Sequence, residues 1–222
     1  MLSSSSILYK LATVLLLVVV QLAGGCRKEA QSPKHGVTYT SSGKEIQLGA
    51  WESELPADIV LAIDQSGSMS RGANPTDPTA LRVEGAKSFL EFVAGRTSKD
   101  LPNRFGVVNF GTDAQRKDAV PLTRISSIDD PALNQIRARL TPLSLENTSF
   151  ISALRLAMQL LRDGGSFGEL RNRAIVVFTD GEPDEPHRGL TIQQYFAELS
   201  EFIQREVKPN HVVLFIPPHW VG

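Results

Sequence analysis

One cysteine in 222 residues leaves no possibility of an internal disulfide, so the fold of this chain rests on its core alone. Charge of one sign is missing too. Twenty-three basic against 24 acidic residues give a net charge of −1, and the basic residues are scattered rather than clustered. That removes the electrostatic footprint expected of a nucleic-acid partner. Histidine is sparse, and His35, His211 and His219 show no metal-ligand spacing. A Gly-rich phosphate loop with its Lys is absent, as is the Gly-x-Ser-x-Gly elbow of serine hydrolases. No internal repeat or long low-complexity tract occurs. Long apolar runs are equally rare: the one present, Leu11 to Val20, has the length of a signal peptide and is too short for a comfortable membrane span.

Lys10 precedes that run, and Leu22-Ala23-Gly24-Gly25-Cys26 follows it, placing small residues before the lone cysteine. The segment resembles a bacterial lipoprotein signal, which implies that Cys26 is lipidated and becomes the mature N-terminus. Ala23 stands where such signals usually carry Leu. Ordinary cleavage with Cys26 left as a thiol, or an uncleaved anchor, are the alternatives. The organisation expected is a signal peptide over residues 1–25, a polar tether and small hairpin over 26–56, and one domain over 57–222. The hairpin is read from Val37-Thr38-Tyr39-Thr40 and Glu45-Ile46-Gln47-Leu48, which flank a Ser-Gly turn.

At 41% hydrophobic and 21% charged, the composition suits a single well-buried domain. Apolar runs at 58–63, 104–110, 174–179 and 211–216 read as strands, and 119–122 as an edge strand because Pro121 cannot donate to a central ladder. Helical spacing marks 79–94, a short segment around Leu133, Ile136 and Leu140, then 151–161 and 191–206. Alternating strands and helices predict an α/β fold with a mostly parallel sheet covered on both faces.

The chemistry gathers where strands end. Asp64-Gln65-Ser66-Gly67-Ser68 directly follows the first strand, and small Gly67 is expected to allow the tight course that turns three oxygen side chains toward one point. Alone, such a loop is more often a Ser/Gly turn whose Asp caps the next helix. Two further segments change that balance: Thr179-Asp180-Gly181 ends another strand, and Asn147-Thr148-Ser149 opens a helix. In an open α/β sheet, ligands bind outside the carboxyl ends of parallel strands, so Asp64 and Asp180 share a rim if their strands are neighbours.

Together these segments resemble the metal-ion-dependent adhesion site of von Willebrand factor type A domains, matched at Asp64, Ser66, Ser68, Thr148 and Asp180. The resemblance covers residues 57 to 216 and implies a three-layer, Rossmann-like sheet whose first and fourth strands are central neighbours. It also implies a last strand and closing helix, for which the sequence after residue 216 leaves no room. An all-oxygen set of hydroxyls and carboxylates suits Mg2+, or Mn2+, better than Zn2+. The family's logic leaves one coordination position for an acidic side chain of a protein partner. The resulting expectation is a non-enzymatic, metal-dependent binding module at the bacterial envelope, held to the membrane through Cys26.

Two alternatives stand beside it. One is a hydrolase or phosphotransferase using Asp64 or Ser66, although a phosphoaspartate enzyme wants a second acid where Ser66 stands. The other is a truncated remnant that binds nothing. The acidic stretch Glu182, Asp184, Glu185 and His187 is expected to be a solvated loop rather than a second cation site. The glycosylation sequon at Asn147 is set aside because Thr148 is wanted as a ligand.

Overall fold

The computed structural model describes residues 36–41, 44–50, 55–70, 75–97, 99–179 and 189–216. The signal segment, Cys26, Asp180 and the acidic stretch from 181 to 187 lie outside the described residues. Strands β1 (Gly36–Ser41) and β2 (Lys44–Ala50) pair antiparallel as a two-stranded sheet, with Thr38 opposite Gln47. The domain then runs β3 (Ala57–Asp64), α1 (Gly67–Ser70), α2 (Leu81–Ala94), β4 (Asn103–Phe110), β5 (Val120–Ile125), α3 (Pro131–Arg139), α4 (Phe150–Asp163), β6 (Asn172–Phe178), α5 (Ile192–Phe202) and β7 (Val212–Phe215).

Five strands form one sheet in the order β5-β4-β3-β6-β7. β3 runs parallel to both β4 and β6, β6 parallel to β7, and β5 alone antiparallel to its neighbour β4. The first and fourth strands of the domain are therefore central neighbours. All eight residues of β3 are buried, as a central strand covered on both faces requires. Its side chains alternate: Ile59, Leu61 and Ile63 join the core under α2 and α3, whereas Val60 and Ala62 join the core under α4 and α5. The result is a three-layer α/β domain.

Three boundaries differ from the sequence reading. The edge strand runs to Ile125 rather than ending at 122, because pairing with β4 continues to Asn103 opposite Ile125. The second helix starts at Leu81 rather than at 79, since Ala80 takes a left-handed conformation at φ 56° that interrupts the helical course. Asp77 instead caps this helix, its carboxylate accepting from the amides of Leu81 at 2.7 Å and Arg82 at 3.1 Å. The α-helical part of the last helix stops at Phe202 and passes into a wider turn over Ile203–Val207.

The amino-terminal end of the sheet is closed by a buried charge cluster. Asp58 is fully buried and accepts from Arg104 Nε at 2.7 Å, Arg104 Nη2 at 2.6 Å, Arg171 Nε at 2.7 Å and the Ser166 hydroxyl. Pairing with Asp58 raises the Arg104 pKa against the opposing pull of burial. A buried carboxylate held by two guanidiniums is satisfied in full, and its role is to tie β3, β4 and the segment before β6 together.

Candidate metal centre

The candidate site forms at the opposite, carboxyl end of the same strands. Asp64, the last residue of β3, is fully buried. Its Oδ1 accepts from the Ser66 amide at 2.9 Å, and its Oδ2 accepts from the Thr179 hydroxyl at 2.6 Å. The first bond is the tight turn a Ser/Gly loop makes for itself. The second reaches across to the end of β6, and only the parallel pairing of β3 with β6 makes it possible. Two residues on, the Ser66 and Ser68 hydroxyls lie 3.1 Å apart. Oxygens this close share one direction, as two ligands of one cation must.

Thr148 comes to this rim on a separate loop. The Leu145 amide donates to the Gln65 carbonyl at 2.7 Å, the Ser149 amide donates to the Gly111 carbonyl at 2.8 Å, and the Gln65 amide donates to the Phe110 carbonyl at 2.7 Å. These bonds lash the 145–149 segment to the ends of β3 and β4. Thr148 is 2% exposed, and its hydroxyl oxygen is buried with no hydrogen-bond partner among the described residues. An orphaned buried hydroxyl is costly, on the order of 1–3 kcal/mol. It fits a residue whose missing partner is an ion.

Gly111, rather than Gly67, is the glycine this geometry needs. A Cβ on Gly111 would stand 2.4 Å from Leu145 Cβ and 3.1 Å from the Glu146 carbonyl, so only glycine lets the Thr148 loop lie this close to β4. The expectation placed on Gly67 is corrected: it sits inside the short helix α1, and a Cβ there meets nothing nearer than the Leu145 carbonyl at 3.5 Å.

Asp180 lies outside the described residues; the residue before it, Thr179, donates to Asp64 at 2.6 Å. Among the described residues no group of three His, Cys, Asp or Glu could hold a metal. The donors assembled here are mostly hydroxyls, suited to a hard divalent cation that keeps part of its water shell.

Sequence reasoning passed over several residues that shape this site. Thr179 appeared only as a strand residue, and Gln65 only as the filler between Asp64 and Ser66. Tyr195 on α5 is buried, and its hydroxyl accepts from the Phe150 amide at 2.8 Å, at the start of the helix that follows Thr148. Burial raises the Tyr195 pKa, with donation from the Phe150 and Ile151 amides opposing it. A tyrosine at helical spacing offers no signal of that role in sequence.

Residues 59–182 match the model of the von Willebrand factor type A domain, a segment that spans more than half of the chain and contains all five candidate residues. The chain belongs to the von Willebrand factor type A domain family. Similar solved structures include the pilus adhesin SpaC from Lactobacillus rhamnosus GG in its open conformation, at 25% identity over 60% of this chain and 15% of that one, with a TM-score of 0.44. Others are a von Willebrand factor type A protein from Catenulispora acidiphila (16% identity, 75% of this chain, 33% of that one, TM-score 0.48) and the vWF domain of the type V pili tip protein Mfa5 from Porphyromonas gingivalis (16%, 63%, 43%, 0.44). The chain thus covers well under two thirds of each of these structures. No curated protein matches it.

The close approach at Gly111 yields a stability prediction. Gly111→Ala should cost about 1–3 kcal/mol, the usual penalty for forcing atoms into a packed contact. Gly67→Ala should stay within about 0.5 kcal/mol. Urea denaturation of both variants checks the contrast, and equal costs would show that the Thr148 loop does not depend on Gly111.

Proposed function

We propose that this chain is a metal-dependent protein-binding module of the bacterial cell envelope. Ser66, Ser68 and Thr148 hold one Mg2+ or Mn2+, and Asp64 and Asp180 reach it directly or through water. The observation that carries this reading is the buried Thr148 hydroxyl, without a hydrogen-bond partner among the described residues, on a loop lashed to the Asp64 loop. Hydroxyl ligands leave most of the ion's charge unneutralised, so a coordination position left to solvent is strongly attractive to a carboxylate. The partner class is therefore a protein presenting an acidic side chain. Adhesion to a surface and assembly of an envelope complex both use such a contact.

An enzymatic role for Asp64 or Ser66 has less support. The Asp64 oxygens are engaged by the Ser66 amide and the Thr179 hydroxyl, and Ser66 Oγ is paired with Ser68 Oγ. These contacts orient ligands. A nucleophile instead needs an adjacent base.

Metal binding is tested by thermal unfolding. An ion that binds only the folded state stabilises it by about 2.7 kcal/mol at a hundredfold excess over Kd. For a domain of this size that corresponds to a rise in Tm of about 5–10 °C with Mg2+. Asp64→Ala and Asp180→Ala should lose the rise, and a wild-type shift in both variants would place the ion elsewhere.

Partner binding should follow the metal. In pull-downs from envelope extract, wild type with Mg2+ should capture a partner that chelator or Thr148→Ala releases, while circular dichroism shows both proteins folded. Equal capture in all conditions would move recognition to another surface.

Membrane attachment rests on Cys26. Fatty-acid labelling should mark the wild type and spare Cys26→Ala. Equal labelling of the two, or labelling of neither, would overturn the lipoprotein reading.

A further inference from the structure

Beneath the metal rim lies a buried polar cluster built from side chains other than those of the candidate ligands. Its centre is Gln65, which is fully buried although it occupies the position between Asp64 and Ser66. A primary amide can accept twice through oxygen and donate twice through nitrogen. Gln65 does all four: Oε1 accepts from Arg82 Nη2 at 3.0 Å and from the Leu143 amide at 2.9 Å, while Nε2 donates to Asn109 Oδ1 at 2.9 Å and to the Thr141 carbonyl at 3.1 Å. Two donors at one end and the Thr141 carbonyl at the other permit only one orientation of the amide. Its main chain adds the bond from Leu145.

Arg82 fixes that amide from the α2 side. It is 2% exposed, and its fork reaches three acceptors in different directions: the Asp64 carbonyl, Asp77 Oδ2 at 2.8 Å, and Gln65 Oε1. Asp77, itself 7% exposed, supplies the counter-charge and caps α2. The Asp77 segment is in turn bonded to the metal loop, through Thr76 amide to Ser68 carbonyl at 3.0 Å and Asp77 amide to Met69 carbonyl at 2.9 Å. The cluster thus touches the Asp64–Ser68 loop, the 141–145 loop that leads to Thr148, and the end of β4.

We propose that Gln65, held by the Arg82–Asp77 pair, is the positioning residue of the metal centre: it sets the separation between the Ser66 and Ser68 hydroxyls on one loop and the Thr148 hydroxyl on the other. This inference rests on the metal reading above. Its physical basis is that ligand loops lose affinity when the groups orienting them are removed, because the ion must then supply the ordering. A fully satisfied buried amide with a guanidinium at its oxygen is a rigid spacer, and a lysine cannot reproduce the three-way fork.

The test is Mn2+ affinity of the full chain, followed by the electron paramagnetic resonance signal of unbound Mn2+, alongside circular dichroism and urea denaturation. Gln65→Met keeps the volume and the main-chain bond to Leu145 but removes every side-chain bond. It should weaken Mn2+ binding by about 10- to 100-fold, and Arg82→Lys should weaken it less. Arg104→Met, at the far end of the sheet, should lower stability yet bind Mn2+ as wild type does. Wild-type affinity in Gln65→Met overturns the positioning role and leaves the metal centre standing. An equal loss of affinity in Arg104→Met also overturns it, since the effect would then be general stability. If Gln65→Met does not fold, Arg82→Lys decides, with unchanged affinity as the overturning result. A wild type that takes up no Mn2+ instead defeats the metal reading itself.

Discussion

The parallel pairing of β3 with β6 is the constraint from which the rest of the structure follows. Its register sets Ala57 beside Asn172 and Ile63 beside Phe178, so both strands reach the same rim with their next residues in contact. The Thr179 hydroxyl on Asp64 is the direct consequence. A slip of one residue would turn Ile59, Leu61 and Ile63 to the opposite face, and the core under α2 and α3 would be lost with the site. Packing and site assembly are therefore secured by one set of hydrogen bonds. The adjacent β3–β4 pairing brings Gly111 to that rim as well, because β4 ends at Phe110 opposite Asp64.

The two ends of β3 show how the same side-chain type takes different roles. Asp58 is surrounded by Arg104, Arg171 and the Ser166 hydroxyl, a set that satisfies its charge within the protein. Asp64 meets an amide and a hydroxyl, and the Thr148 oxygen on the neighbouring loop has no hydrogen-bond partner among the described residues. A fully paired buried charge cluster of the Asp58 kind stiffens the fold. Arg82 follows the same logic at the Asp64 end. It stands close to the rim, yet its guanidinium is spent on Asp77, Gln65 and the Asp64 carbonyl, so its charge serves the scaffold.

The fold was largely legible in sequence because apolar runs of strand length alternate with amphipathic helices, and burial on both faces leaves strands such as 57–64 almost wholly apolar. The candidate ligands are read on a related ground, that strand ends in a parallel sheet are where side chains can converge: Asp64 ends β3 and Ser66 and Ser68 follow it, whereas Thr148 stands just before α4. What sequence did not disclose depends on contacts far along the chain. Gln65 gains its meaning from Thr141 and Leu143, and Gly111 from Leu145, separations that no local pattern encodes. The start of α2 was misplaced for a similar reason. Helical spacing continues back through residue 79, but Asp77 takes the first amides and Ala80 turns left-handed, so the backbone enters the helix two residues later.

Tyr195 extends the same reasoning from statics to coupling. The first amides of a helix have no partner within it, and at α4 the Phe150 amide is satisfied by a side chain from α5 rather than by a local cap; Ser149 makes no side-chain cap there. Because the Phe150 amide donates to the Tyr195 hydroxyl at 2.8 Å, the position of α5 is tied to the peptide two residues beyond Thr148. Leu199 belongs to the same apolar cluster as Phe150, Ala153 and Leu154, with Ile203 packed against it. A displacement of the Thr148 loop must therefore either break the tyrosine bond or carry α5 with it. The structure in this way connects the candidate ligand loop to a helix on one face of the sheet through one hydrogen bond and the packing beneath it.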